Sequence, residues 1–224
     1  MPTILITGAG RGLGLELARQ YAAEGWRVIG TVRNAAGETE LRKIGADAFR
    51  LEVTNPNEAK KLASQLKSSP IDVLYCNAGV IGKRGAGFGK FDFQDWEDVL
   101  RVNLLGAAAT IEALVDNVAA SERKTVAVMS SRLGSIAETS GMTIPYSTSK
   151  AALNLLAKAL AASLAARGII VVALSPGWVK TDMGGEGAPL KAETSVRGLR
   201  KVIGGLRAGD SGKFLAHDGS AIPW

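Results

Sequence analysis

Glycines crowd the turn Thr7-Gly8-Ala9-Gly10-Arg11-Gly12-Leu13-Gly14, which follows the β-branched run Thr3 to Thr7. Leu13, Leu17, Ala18 and Tyr21 then recur at helical spacing. A glycine-rich turn between a first strand and a first helix lets the backbone bend tightly and approach a pyrophosphate. The helix start adds free N–H groups and a partial positive charge. Spacing alone also fits an ordinary flexible strand–helix turn. Its place at the first junction of a repeating strand–helix pattern is what points to a dinucleotide. A second pair with chemical capacity is Tyr146 and Lys150, four residues apart. On a helix that spacing sets an ammonium on the same face as a phenol. Bringing a tyrosine pKa of about 10 down by roughly three units takes about 4 kcal/mol, which such a field can supply. Taken alone, the pair equally fits an exposed stripe of an amphipathic helix.

The elements that must position these residues are readable as alternation. Arg27 to Val32 reads as a strand, Ala35 to Ile44 as a short helix, Ala48 to Val53 as a strand, and Pro56 to Leu66 as a helix with proline in its first turn. Ile71 to Tyr75 is the next strand, a glycine-rich loop runs from Gly79 to Lys90, and one long helix is expected from about Trp96 to Ala119. Thr125 to Met129 is a strand and Tyr146 to Ala166 a helix stopping at Gly168. The continuously apolar Ile169 to Leu174 suits a parallel strand buried on both faces. Val196, Leu199, Val202, Ile203 and Leu206 mark a last helix, and Lys213 to Ala216 a last strand. The expected fold class is α/β, a doubly wound Rossmann-type parallel sheet with helices on both faces, in a single domain spanning 1–224. The stretches 79 to 90 and 182 to 194 are expected to be mobile. The latter, rich in glycine at Gly184, Gly185 and Gly187, is a candidate substrate lid.

Composition narrows the chemistry further. One histidine, His217, and one cysteine, Cys76, leave no cluster of the kind that binds zinc or a transition metal, so no metal is expected. A lone cysteine cannot close an internal disulfide, and the start Met1-Pro2-Thr3-Ile4 carries no signal-peptide pattern, so a cytoplasmic setting is expected. No apolar run approaches the roughly 20 residues needed to span a bilayer. The formal charge is +6, but the basic residues are dispersed, which argues against nucleic acid and suits a small anionic ligand. Gly209-Asp210-Ser211-Gly212 has the look of a serine-protease nucleophile motif and reads as a turn in this alternating chain. Charge also bears on which dinucleotide is taken. An acidic residue ending the second strand would accept the ribose hydroxyls of NAD, whereas here Val32 is followed by Arg33 and that position offers no carboxylate. Arg33 and Arg11 are expected to converge on a 2′-phosphate, making the cofactor NADP(H).

The spacing Thr7, Gly8, Gly12, Gly14 resembles that of the short-chain dehydrogenase/reductase family. Further motifs of that family follow in order across essentially the whole chain: Asn77-Ala78-Gly79, Asn103, Ser131, Tyr146-Ser147-Thr148-Ser149-Lys150, and Pro176-Gly177 with Thr181. The segments Met129 to Ile136, Pro176 to Gly185 and Asp218 to Trp224 resemble its C-factor and sniffer-like carbonyl reductase branch. The resemblance implies reduction of a small ketone or aldehyde by hydride transfer. Tyr146 would be the acid/base, Lys150 its electrostatic partner and holder of the ribose hydroxyls, Ser131 the donor to the substrate oxygen, and Asn103 a member of a proton relay. It implies cofactor contacts from Gly8, Gly10, Arg11, Gly12, Leu13, Gly14, Arg33, Glu52, Val53, Asn77, Ala78, Gly79, Pro176, Gly177, Val179 and Thr181. Cys76 departs from the family by standing where an asparagine is common, and Glu52-Val53 stands where an aspartate often contacts the adenine. The 15-residue interval from Ser131 to Tyr146 is slightly long, leaving Ser130 as an alternative. Trp178 fits either a substrate pocket or the sheet. A homodimer or homotetramer is implied, with Ala107, Ala108, Ala109, Ala151, Ala152, Ala161 and Ala162 permitting close helix packing. A signalling protein that binds the cofactor and acts through a partner is the alternative raised by the C-factor resemblance.

Overall fold

A computed structural model describes residues 1–67, 69–85 and 88–224. The strands are β1 (Thr3–Ile6), β2 (Arg27–Val32), β3 (Asp47–Arg50), β4 (Val73–Cys76), β5 (Thr125–Met129), β6 (Ile170–Ser175) and β7 (Phe214–Ala216). Between them lie α1 (Gly12–Ala23), α2 (Ala35–Lys43), α3 (Pro56–Leu66), α4 (Phe93–Leu100), α5 (Gly106–Ala119), α6 (Ile144–Ser163) and α7 (Ala192–Gly205). The seven strands are parallel in the order β3-β2-β1-β4-β5-β6-β7. The order reverses direction between β1 and β4, which opens a crevice at their carboxyl ends.

Both faces of the sheet are covered, as the apolar strands require. Leu5, Leu74, Val126, Val128 and Val171 meet α3, α5 and α6 on one face, whereas Ile4, Ile6, Tyr75, Ala127 and Val172 meet α1 and α7 on the other. Cys76 is buried in the first of these layers, and burial pushes its thiol pKa up to about 12, the behaviour of a small packed residue rather than a nucleophile.

The long helix expected from Trp96 to Ala119 is instead interrupted. A π-helical turn at Arg101–Leu105 separates α4 from α5. The extra residue in that turn breaks the regular ladder at Asn103, whose side chain is spent on a neighbouring loop. Most other boundaries fall within one to three residues of expectation, and Gly209 to Gly212 is a turn whose Ser211 hydroxyl accepts from the Val171 N–H. In the loop after β4, Ala86 and Gly87 lie outside the described residues.

α1 is seated where only glycine fits. A Cβ added at Gly14 would overlap the Gly8 carbonyl and come within 2.5 Å of Asn77 Nδ2. Gly14→Ala is therefore expected to cost about 1–3 kcal/mol, read as a lower midpoint in urea unfolding. An unchanged midpoint would show that α1 does not rest on this turn.

Candidate active site

The crevice is built by cross-ties between the ends of β1 and β4. The Thr7 hydroxyl accepts from the backbone N–H groups of Asn77 and Ala78 at 3.0 and 3.1 Å. Asn77 Nδ2 returns two bonds, to the carbonyls of Thr7 and Gly8 at 2.9 and 3.1 Å. Beside them α1 begins at Arg11 with no side-chain cap, so its first N–H groups are free to meet a ligand. Gly8, Gly10, Arg11, Gly12, Leu13 and Gly14 all line the cleft, as do Asn77, Ala78 and Gly79. This uncapped, side-chain-free cradle fits an anionic pyrophosphate.

The opposite wall comes from α6. Tyr146 and Lys150 are both buried on its inner face and both line the cleft. The Lys150 ammonium donates to the Met129 carbonyl at 2.7 Å and lies 5.6 Å from the centre of the Tyr146 ring. Asn103, in the π turn, is a buried brace: its Oδ1 accepts from Val80 N at 2.8 Å, and its Nδ2 donates to Val80 O and to Ser149 Oγ, each at 2.9 Å. Ser149 in turn donates to the Tyr146 carbonyl at 2.7 Å. Gly79 lies between Asn103 Oδ1 and the Lys150 ammonium.

The two adjacent serines take different roles. Ser131 stands close enough to the Tyr146 phenol to pull its pKa down, and its Oγ accepts from Leu133 N at 3.2 Å, whereas Ser130 touches the cleft wall and donates to Asn154 Oδ1 at 2.5 Å. The ionisation of the phenol departs from expectation. Burial raises the Tyr146 pKa to about 12, with Ser131 pulling in the opposite direction, and burial lowers Lys150 to about 8. Desolvation is the largest cause of both shifts.

Charge at the β2 end also needs correction. Arg33 lines the cleft, but a carboxylate does stand there: Glu52, just past β3, approaches the Arg33 guanidinium to 4.0 Å. The absence of an acidic residue after Val32 hid a neighbour contributed by another strand. Nor do the two arginines pair up in this structure. Arg11 reaches instead across the cleft to Asp182 at 3.0 Å, an exposed ion pair spanning 171 residues of sequence. Glu52, Val53, Pro176 and Thr181 line the same cleft, while Val179 is buried and pairs with Leu190, and Gly177 lies against Leu190 and His217. The Thr181 hydroxyl accepts from Gly184 N at 3.1 Å and so shapes the turn after β6. Trp178 is exposed and donates to the Gly184 carbonyl, away from the sheet. The candidate lid is tied by Asp182 to Arg11, by the Met183 carbonyl to Arg84 and by the Glu193 carbonyl to Gln20.

Thr31, Asn34, Leu51, Val80, Val102 and Met129 also line the cleft without having been expected there, and Asp182 and Met183 bring the candidate lid to its wall. Asn34 alone carried a signal, as a helix N-cap accepting from Gly37 N at 3.0 Å. Among the described residues, no group of three or more His, Cys, Asp or Glu side chains gathers to hold a metal, and no helix is long and apolar enough to cross a membrane.

Known proteins are similar to this chain in sequence and in fold. Residues 2–189 match the family model of the short chain dehydrogenases. The C-signal protein of Myxococcus xanthus is 39% identical over 166 residues, 74% of this chain and 99% of that protein. The carbonyl reductase Sniffer of D. melanogaster superposes with a TM-score of 0.91 at 33% identity, covering 100% of both chains. A carbonyl reductase from chicken fatty liver, solved with NADPH bound, gives 0.93 at 30% identity, covering 100% of this chain and 99% of that one. With the match over residues 2–189, and with the glycine-rich turn, Tyr146 and Lys150 lining one cleft, the chain belongs to the short-chain dehydrogenase/reductase family, in its C-factor and sniffer-like branch.

Proposed function

We propose that this chain is an NADP(H)-dependent reductase of ketones or aldehydes, with Tyr146 as the proton donor. The observation that carries this reading is the buried Tyr146 phenol lining the cleft, with Lys150 one turn along α6, opposite the uncapped start of α1. When bound, the nicotinamide supplies the hydride that reduces the carbonyl carbon. Tyr146 gives its phenol proton to the carbonyl oxygen as negative charge grows there. With its pKa raised to about 12 by burial, it holds that proton at neutral pH. The phenolate left behind has the Ser131 hydroxyl beside it as a donor. The Lys150 ammonium, 5.6 Å from the centre of the ring, adds a favourable charge for that phenolate.

Cofactor contacts divide along the cleft. The α1 start and its glycines hold the pyrophosphate, Glu52 and Val53 flank the adenine, and Arg33 with Arg11 meets the 2′-phosphate. Asn77, Ala78 and Gly79 line the middle of the cleft, and Lys150 holds the ribose hydroxyls. Pro176, Gly177, Val179 and Thr181 form the segment that meets the carboxamide. The NADPH and NADP in the solved structures of the chicken liver and Burkholderia multivorans relatives support the choice of cofactor. A cytoplasmic homodimer belongs to the same proposal, with Leu105 and Leu155 standing 57% and 69% exposed on neighbouring helices. Similarity to C-signal favours a second reading, signalling through a partner, and consumption of NADPH against a panel of carbonyl compounds separates the two.

Three outcomes test the catalytic reading. Tyr146→Phe keeps the ring and loses the proton, so turnover should drop at least ~10²-fold while NADPH still binds; near-normal turnover would sink the mechanism. Because burial depresses Lys150 to about 8, its charge is present below that pH and lost above it, whereas Tyr146 stays protonated to about 12. Reductase activity should therefore be level at lower pH and decline through about 8, and the decline should vanish from the residual activity of Lys150→Met. Arg33→Ala should weaken NADPH by roughly ten- to a hundredfold and leave NADH little changed, while Glu52→Gln, which removes the opposing carboxylate, should tighten NADPH. Binding titrations in which neither variant alters the preference would refute the 2′-phosphate assignment.

A further inference from the structure

Asn154 follows Lys150 by four residues, as Lys150 follows Tyr146, so the three side chains lie in a row on the inner face of α6. All three are buried, Asn154 to 2% exposure. Each meets the segment leaving β5. Tyr146 stands beside Ser131, Lys150 donates to the Met129 carbonyl, and Asn154 takes two points at once. Its Oδ1 accepts from the Ser130 hydroxyl at 2.5 Å, and its Nδ2 donates to the Gly134 carbonyl at 3.1 Å. Ser130 and Gly134 bracket Ser131 on both sides. The segment lies so close to α6 that a Cβ at Gly134 would come within 2.8–3.0 Å of the backbone and Cβ of Lys150.

A buried carboxamide with both ends satisfied fixes its partners in place, because either partner left unpaired would carry a desolvation cost. We propose that Asn154 is a positioning residue, clamping Ser130 and Gly134 to α6 so that the Ser131 hydroxyl is held against the Tyr146 phenol. It touches neither substrate nor cofactor and acts through Ser131. The proposal rests on the catalytic reading above for its effect on turnover, and on geometry alone for its effect on the phenol.

The test compares wild type with Asn154→Ala and Ser130→Ala. Asn117→Ala serves as the control for plain destabilisation, since that buried carboxamide bonds the Lys67 and Ser69 carbonyls near the far end of α5. In Asn154→Ala, kcat should fall about tenfold to a hundredfold, the scale of a small misplacement, with NADPH affinity and KM little altered. Ser130→Ala, which removes a single hydroxyl and leaves the Gly134 contact in place, should move kcat in the same direction by less, and it carries the test if Asn154→Ala does not fold. Asn117→Ala should lower the melting temperature and leave kcat unchanged. A second readout needs no turnover. The protein has three tyrosines, so the Tyr146 ring resonance in isotope-labelled protein is assigned by its loss in Tyr146→Phe. Its Cζ shift, which reports the contact with Ser131, should move in Asn154→Ala and Ser130→Ala but not in Asn117→Ala. Should the wild type reduce no carbonyl compound, the catalytic reading fails while the resonance still decides the clamp. A folded Asn154→Ala protein with wild-type Cζ shift and wild-type kcat overturns the proposal, as does an equal loss of kcat in Asn117→Ala.

Discussion

The contact between the segment leaving β5 and the inner face of α6 is the constraint on which the site depends. Two polar layers must meet there inside an apolar molecule, and each buried donor needs an acceptor at close range. Lys150 shows the demand most plainly. Its ammonium is buried, burial lowers its pKa to about 8, and its hydrogen-bond partner among the described residues is the Met129 carbonyl at the end of β5. Once the carbonyl is placed, Ser130 and Ser131 follow on opposite sides of the chain. One becomes part of the scaffold through Asn154, and the other faces the phenol.

The π turn at Arg101–Leu105 serves the same contact from the other side. A regular helix through this stretch would carry Asn103 without the extra residue that the turn accommodates. With it, the carboxamide ties the loop at Val80 to Ser149, and through Ser149 to the Tyr146 carbonyl. Backbone irregularity of this kind is tolerated because each displaced polar group finds a partner within the site. Tyr146 is thereby held along its backbone by Asn103 and Ser149.

Charge is arranged more loosely at the open end of the cleft. Arg33 with Glu52 and Arg11 with Asp182 are exposed pairs, which hold little free energy in water and can exchange partners at low cost. Each arginine thus carries a carboxylate that an incoming phosphate would have to displace or outcompete. Selectivity among dinucleotides is then a difference between two modest interactions at this end, while the chemistry is fixed by buried contacts at the other.

The amino-acid sequence alone determined the alternation of strands and helices, because buried parallel strands demand continuous apolar runs and helices demand a period of 3.6. It also determined the glycine-rich cradle, since a Cβ at Gly14 would strike its own turn, and the Tyr146–Lys150 register, which follows from helical geometry. Tertiary structure decided matters that depend on residues far apart in the chain. The inward bond of Ser130 depended on Asn154, 24 residues away, and the surroundings of Arg33 depended on Glu52, just past β3. The break in the helix around Asn103 depended on the Val80 loop and on α6. The direction in which Tyr146 shifts was likewise decided by burial, a property of the packed whole. Local periodicity records which face of an element is apolar, but it holds no record of which polar groups will face one another across a crevice, because those pairings exist only once the sheet has closed the distance.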